Sequence, residues 1–157
     1  MDRSRLTSFL SQPLADLTLA EAPVVSTDDP VSHAVAVMGA GSRSCVLALD
    51  GGRLAGIFTE RDVLTRCMGE GFDWAQPLGR SVLTPNPRTI GSRSTVAEAI
   101  ATMRKHRYRT LPVVNGEAIL GLVRLGDLLT HLAEVYPEEI LNLPPRPHQV
   151  MEKQEGG

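Results

Sequence analysis

The chain has 157 residues, of which 42% are hydrophobic, and a formal net charge of −2. This length and composition suit one ordinary hydrophobic core, and the small net charge gives no general attraction to nucleic acid or anionic membranes. The opening MDRSRLTSFLSQPL lacks the apolar run of a secretory signal, and apolar runs such as CVLAL are far shorter than the ~20 residues of a membrane span. We therefore expect a cytoplasmic protein with no membrane partner.

The first half of the chain predicts a lead-in helix and then strand, helix, strand, strand, helix. Apolar residues within 1–23 predict the short lead-in helix, and VVST at 24–27 predicts the first strand. Asp29 and Pro30 suit the N-cap and first position of the next helix, in which apolar residues recur at i, i+3, i+4 and i+7 from Val31. CVLAL and LAGIF around the turn DGGR predict a hairpin, and a second helix is expected from about Asp62.

The second half of the chain repeats the first. An offset of 65 aligns 24–64 with 89–129 without a gap and preserves a glycine (56 and 121), an aspartate (62 and 127) and a leucine (64 and 129). Here STVAE at 94–98 offers Ser94 or Thr95 as a cap, with Glu98 closing a capping box. The chain therefore contains one supersecondary unit twice. Repeats of about 60 residues favour two halves of one module over two separate domains. We predict an α+β fold built from two pseudo-symmetric halves.

The connector at 69–89, GEGFDWAQPLGRSVLTPNPRT, is rich in glycine and proline, so extended backbone without a helix is expected there. The tandem pattern, with AVAVM or AIATM in the helix, YRTLPVV in the strand and Gly-x-x-Thr-x-x-Asp after the hairpin, resembles a pair of cystathionine-β-synthase (CBS) domains, the Bateman module. The resemblance places a lead-in segment at 1–23, the first CBS motif at 14–75 and the second at 76–133. The remaining 134–157 is an extension, expected to be flexible from about residue 144.

The aspartate retained in both copies has two interpretations. In a capping box, Thr59 caps the helix and Asp62 accepts a hydrogen bond in return. Arg124 takes the threonine's place in the second copy and cannot accept such a bond, so reciprocal capping does not account for Asp127. The family resemblance implies instead that the aspartate binds a ribose diol and the threonine lies beside phosphates. Thr59 and Asp62 match that motif fully, and Asp127 matches it with Arg124 in the hydroxyl position.

The basic run MRKHRYRT at 103–110 also has more than one interpretation. Positive charges at a helix C-terminus are favourable on a solvated face, and a short basic run in a slightly acidic chain makes nucleic-acid binding the weaker alternative. In CBS pairs the entries to the second strands converge on the ligand cleft. The resemblance therefore implies phosphate binding by Arg43, Ser44, Arg107, Arg109 and Thr110, since guanidinium groups donate paired hydrogen bonds to phosphate oxygens.

No catalytic or metal site is expected. The histidines at 33, 106, 131 and 148 fall on separate predicted elements, without nucleophile or metal-ligand spacing, and Cys45 and Cys67 carry no disulfide or metal pattern.

The resemblance implies a regulatory module that binds an adenine nucleotide or related adenosyl ligand between its repeats. AMP, ADP and ATP are the expected ligands, with NAD and S-adenosylmethionine as further candidates, and no cofactor is obligatory. The adenine would lie between Val25 and Ile57. A homodimer through the helices after Asp62 and Asp127 is expected, together with an unidentified regulated protein. The alternative is a ligand-free dimerisation and interaction scaffold. Within the expected site, we predict that Arg124 pairs with Asp127 and leaves the Thr59–Asp62 cleft the better one.

Overall fold

The computed structural model describes residues 3–135 of the chain, so the flexibility expected from about residue 144 concerns residues outside the described range. The helices in this range are α1 (Arg3–Leu10), α2 (Val31–Ala40), α3 (Glu60–Asp62), α4 (Val96–His106) and α5 (Leu125–Val135). The strands are β1 (Val24–Ser26), β2 (Cys45–Asp50), β3 (Arg53–Thr59), β4 (Thr84–Pro85), β5 (Ile90–Gly91), β6 (Thr110–Asn115) and β7 (Ala118–Arg124). The helix predicted in the lead-in segment is confirmed as α1.

Each copy builds a small sheet with the same strand pairing. β1 runs parallel to β2 and β2 antiparallel to β3, and β5, β6 and β7 repeat this arrangement. The registers correspond as well, because Cys45 pairs with Thr59 in one hairpin and Thr110 with Arg124 in the other. The predicted α+β fold and internal repeat are therefore confirmed.

The first helix of each copy begins differently. In α4 the Thr95 hydroxyl accepts a hydrogen bond from the Glu98 amide at 3.2 Å, and the Glu98 carboxylate accepts one from the Thr95 amide at 2.8 Å. This is the predicted capping box, with Thr95 as the cap. For α2 the predicted cap was wrong. The helix begins at Val31 after an extended Pro30, and Asp29 accepts a hydrogen bond from the Ser26 amide at 2.8 Å instead.

The second helix of each copy begins two residues before the predicted start, at Glu60 and Leu125. The amide of Glu60 donates to the Ser44 carbonyl at 3.0 Å, and that of Leu125 donates to the Arg109 carbonyl at 2.9 Å. These hydrogen bonds hold the start of each helix beside the entry to β2 or β6. In the first copy α3 then continues as a π-helical turn, Val63–Cys67.

The core forms three clusters. One lies in the first copy, where Leu78 and Val82 of the connector join it. A second lies in the last copy, where Phe9 and Leu14 of the N-terminal stretch join it. The third contains Cys45 and Leu47 of β2 with Leu122 of β7, so it lies where the two hairpins face each other. The copies are thus packed together as halves of one module.

Two lead-in segments, the first at residues 16–20 within the N-terminal stretch and the second at residues 82–85 within the connector, cross between the copies. The second segment adds β4 to β3 of the first copy, whereas the sequence predicts only extended backbone there. In the first segment Ala20 exchanges two hydrogen bonds with Leu122 of β7, at 2.8 and 3.0 Å. The segment that precedes each copy therefore pairs with a strand of the other copy.

The glycine retained in both copies makes room for these crossings. A Cβ at Gly56 would lie 2.7 Å from the carbonyl oxygen of Thr84, and a Cβ at Gly121 would lie 2.7 Å from that of Ala20. Real Cβ atoms essentially never approach a backbone oxygen this closely. Glycine is therefore required at both positions for the backbones to meet.

Candidate functional site

The turn from β3 into α3 is organised around the carboxylate of Asp62. Its Oδ2 accepts hydrogen bonds from the Thr59 amide at 2.8 Å and from the Thr59 hydroxyl at 2.9 Å. The Asp62 amide returns a hydrogen bond of 3.3 Å to the Thr59 hydroxyl. The capping box considered for the first copy is therefore present.

The second oxygen of Asp62 faces the connector. Oδ1 accepts a hydrogen bond of 3.3 Å from the Thr84 hydroxyl, and the Arg66 Nε lies 3.7 Å from it. Arg66 also donates to the Val82 carbonyl at 3.0 Å. Asp62 is only 7% exposed, so its carboxylate joins the β3–α3 turn to the second lead-in segment.

Beside this turn is a cavity of about 950 Å³ between the two copies. It brings together predicted site residues from both copies: Ser44, Ile57, Thr59, Asp62, Arg107, Arg109 and Thr110. Apolar groups include Ile100 and Met103 of α4, and the connector closes one side with residues 84–88. The predicted convergence of strand entries is therefore seen at this cavity.

The cavity is rich in arginine. Arg61, Arg88, Arg104, Arg107 and Arg109 line it, and no ion pair within 4.0 Å joins any of them to a carboxylate of residues 3–135. Nearby, His106 stacks on Tyr108 with ring centroids 5.8 Å apart. Partial desolvation lowers the pKa of His106, and the charges of Arg88 and Lys105 lower it further.

Arg107 has a left-handed backbone conformation, with φ of 57°, at the C-terminus of α4. Glycine is the usual residue in such a position because a side chain adds steric strain there. Ser42, one repeat earlier, also has a positive φ, of 49°. The left-handed residue ends the helix and directs residues 107–110 towards the cavity.

The corresponding turn in the second copy is closed by an ion pair. Arg124 donates hydrogen bonds to both carboxylate oxygens of Asp127, as predicted, and the main cause of its raised pKa is this hydrogen bonding. These two residues line a separate cavity of only about 150 Å³, whose other wall is residues 16–19 of the first lead-in segment. The two predicted clefts are thus very different in size.

The fold can now be compared with known proteins. The sequence model of the CBS domain matches residues 14–69 and 79–134. The chain belongs to the CBS-domain family. A tandem CBS pair is a regulatory module.

One relative is a CBS domain-containing protein of Arabidopsis thaliana, 35% identical over 134 residues that make up 80% of this chain and 25% of the relative. The chain spans 16–25% of the length of the first curated relatives that it matches. A CBS-domain protein structure from Burkholderia ambifaria MC40-6 has 27% identity and a TM-score of 0.67, covering 83% of this chain and 95% of that one. A CBS domain protein from Pyrobaculum aerophilum complexed with AMP has 20% identity and a TM-score of 0.66, covering 78% and 99%.

Two residues predicted to bind ligand lie elsewhere in the CBS pair. Val25 is 4% exposed and belongs to the core of the first copy. Arg43 donates to the carbonyl and carboxylate of Glu21, at 3.3 and 3.2 Å. Neither lines the large cavity, so we omit both from the site proposed below.

Several cavity residues were not singled out from sequence. Arg88 stands in the connector and Arg61 follows the motif threonine, while Arg104 was weighed only as a helix-terminal charge. Tyr108 also lines the cavity and is 46% exposed. The density of cations in residues 104–109 was a sequence signal for Arg104 and Tyr108, but Arg61 and Arg88 lie outside that run.

Cys45 also lines the cavity, but it is buried and its pKa is raised, chiefly by that burial. A protonated thiol is a poor nucleophile and metal ligand. Residues 3–135 contain no group of three or more histidine, cysteine, aspartate or glutamate side chains that could hold a metal ion. None of the helices in this range has the length and apolar character of a membrane span.

Proposed function

We propose that this CBS pair binds an adenine nucleotide in the 950 Å³ cavity and acts as a regulatory energy or metabolite sensor. The observation that carries the proposal is that one cavity joins the Thr59–Asp62 turn, apolar side chains and arginines that have no carboxylate partner among residues 3–135. Ligand sites typically combine an apolar lining with a few polar groups that fix orientation. Ile57 offers an apolar surface for the base, and Arg107 and Arg109 offer donors for phosphates.

Asp62 would receive the ribose through Oδ1. Oδ2 is already occupied by the capping box, whereas the hydrogen bond from Thr84 to Oδ1 is long, at 3.3 Å. Acidic residues accept hydrogen bonds from ribose hydroxyls in other nucleotide-binding folds. A ribose hydroxyl can replace the Thr84 hydroxyl on Oδ1, so Asp62 can serve both the helix cap and the ligand.

The AMP complex of the Pyrobaculum aerophilum relative supports an adenine nucleotide as the ligand class, although at 20% identity the likeness is one of fold. We therefore propose AMP, ADP or ATP, with NAD and S-adenosylmethionine as further candidates. A thermal-shift series with these five compounds and adenosine tests the proposal. A ligand at 100 times its dissociation constant stabilises the folded chain by about 2.7 kcal/mol.

A charge-reversal pair sharpens that test. Replacing Arg107 and Arg109 by Glu should weaken ATP binding at least tenfold, because hydrogen bonds to charged groups contribute roughly 1.5–3 kcal/mol each. Adenosine binding should change little. The matched control is Lys105→Glu, which alters a charge of the same basic run outside the cavity lining. Equal ATP affinity in the double variant and wild type would remove these arginines from the site.

We propose further that the module is a homodimer joined through the helices that follow Asp62 and Asp127. Leu64 and Leu129 occupy equivalent positions in the two copies and are 71% and 56% exposed, and Met68 is 64% exposed. Exposed apolar patches of this kind mark protein contacts. In analytical ultracentrifugation, the double variant Leu64→Glu/Leu129→Glu should sediment as a monomer of 17.0 kDa. The control variant Leu120→Glu, on β7, should still sediment as a dimer.

The scaffold alternative is supported by the same exposed leucines. It predicts a dimer whose melting temperature responds to none of the nucleotides. A ligand-induced shift that disappears in the Arg107/Arg109 variant would reject it. A regulated partner protein is part of either proposal, since a regulatory module acts on another protein or domain.

A further inference from the structure

Two groups of arginines within residues 3–135 differ in their partners. Arg43, Arg53, Arg66 and Arg124 each lie within 4.0 Å of a carboxylate. The five arginines that line the large cavity have no such partner among residues 3–135. They come from α3, the connector, α4 and the loop before β6, so the fold gathers them from four separate places.

The cavity has a positive charge excess. Its carboxylates are Glu60 and Asp62, which against five arginines leave an excess of three positive charges among the lining residues. Arginine stays protonated at all ordinary pH values and presents planar donors that match phosphate oxygens. Like charges held in one cleft repel each other and concentrate anions there. Desolvation is the main cause of the lowered pKa of His106, and the positive charges of Arg88 and Lys105 lower it further.

One phosphate cannot satisfy this arrangement. A phosphate monoester carries about −1.5 to −2 charges at pH 7, which is less than the excess of three. The proposed nucleotide site uses Arg107 and Arg109 for phosphates and gives no role to Arg88 and Arg104. A linear chain of phosphoryl groups adds charge and acceptor oxygens with each unit, and a cavity of about 950 Å³ offers room for it.

We propose that the arginine-lined wall of this cavity is a binding site for polyphosphate chains of three or more phosphoryl groups, and that it recognises the chain without a nucleoside. The inference deepens the proposed function, since it uses the same cavity, and it assigns Arg61, Arg88 and Arg104 to ligand binding. It makes the module a sensor that favours highly phosphorylated ligands over AMP.

Calorimetry with inorganic tripolyphosphate, pyrophosphate and orthophosphate tests the inference, in about 0.15 M salt, where surface charges are screened beyond ~8 Å. We expect saturable binding of one tripolyphosphate per chain, at least tenfold tighter than orthophosphate. Arg88→Gln and Arg104→Gln should each weaken tripolyphosphate about tenfold. Lys105→Gln, adjacent to Arg104 on α4, and Arg93→Gln lie outside the cavity lining and should change its affinity less than twofold. All four positions are exposed, so thermal melting should verify an intact fold.

The outcomes separate this inference from the nucleotide proposal. No saturable tripolyphosphate binding, or equal weakening by Lys105→Gln and Arg104→Gln, would overturn the polyphosphate site. Adenosine and AMP are titrated in parallel. If they bind and tripolyphosphate does not, the inference fails and the nucleotide proposal stands. If tripolyphosphate binds and no adenine compound does, the polyphosphate site stands and the nucleotide proposal fails.

Discussion

Arg124 donates hydrogen bonds to both oxygens of Asp127, at 2.6 Å from Nε and 2.9 Å from Nη2. In the first copy the equivalent threonine and aspartate form a capping box beside the large cavity. The same backbone turn therefore borders the large cavity in one copy and carries an ion pair beside a small cavity in the other. The two halves are alike in fold but unlike in what they can bind.

This difference predicts one ligand site per chain. Asp62→Asn should lower nucleotide affinity at least tenfold, since it removes the charge expected to hold the ribose. Asp127→Asn should keep affinity within twofold, and its stability loss should stay below about 1 kcal/mol, because exposed ion pairs contribute little. Calorimetry gives the stoichiometry and both affinities.

Asp62→Asn also disturbs a helix cap, which is expected to cost about 0.5–2 kcal/mol of stability. Urea unfolding of the variant separates that cost from the loss of ligand. Should Asp127→Asn abolish binding while Asp62→Asn preserves it, the choice of cleft is wrong. If Asp62→Asn fails to fold, Thr84→Val, which keeps the cap and removes the hydroxyl that competes for Oδ1, should tighten binding.

The left-handed residue at the end of α4 predicts opposite effects on stability and binding. Arg107→Gly removes the strain of a side chain at φ of 57°, and the fold should gain up to about 1 kcal/mol. Polyphosphate affinity should nevertheless fall about tenfold with the loss of the guanidinium. Ser42→Gly is the control, because it relieves the equivalent strain outside the cavity lining. Tighter polyphosphate binding by Arg107→Gly would contradict the assignment.

Local sequence patterns predicted most of the fold. Apolar spacing located α2 and α4, turn residues located both hairpins, and the Thr95–Glu98 spacing identified a real capping box. Contacts between residues that are distant in sequence could not be predicted from local patterns. Periodicity could not reveal that Arg43 binds Glu21 or that Arg88 joins Arg104 at one cavity. Strand β4 was missed because its pairing with β3 depends on a crossing between the copies.

The two retained glycines predict a further stability effect. Gly56→Ala and Gly121→Ala should each destabilise the chain by about 1–3 kcal/mol, because the added Cβ forces a backbone crossing apart. Gly126→Ala is the control: it lies in α5 with no atom within 4 Å of the added Cβ, and it should stabilise by about 0.5 kcal/mol. Urea unfolding gives all three values. If Gly121→Ala left the free energy of unfolding unchanged, the first lead-in segment would not pack against Gly121.

Ligand binding should raise the pKa of His106. In the free protein desolvation and the charges of Arg88 and Lys105 lower that pKa below 6.5, and a bound polyphosphate would offset the positive charge. Because the bound state then holds the proton more tightly, affinity should increase as pH falls through the bound-state pKa and level off below the free-state pKa. NMR titration of the His106 ring protons, with and without tripolyphosphate, measures the shift. An unchanged His106 would place the polyphosphate away from Arg88.

The crossing of the lead-in segments makes each half of the chain incomplete without the other. A chain cut within residues 69–79 would give two fragments, each holding the segment that pairs with a strand of its counterpart. In each isolated fragment, the edge of the strand that contains Gly56 or Gly121 would lack the segment that pairs with it. Mixing the two fragments would restore both pairings. The two fragments should therefore be weakly folded alone and should reassemble when mixed. A single ancestral unit with this architecture would have been complete only as a pair of chains that exchanged arms.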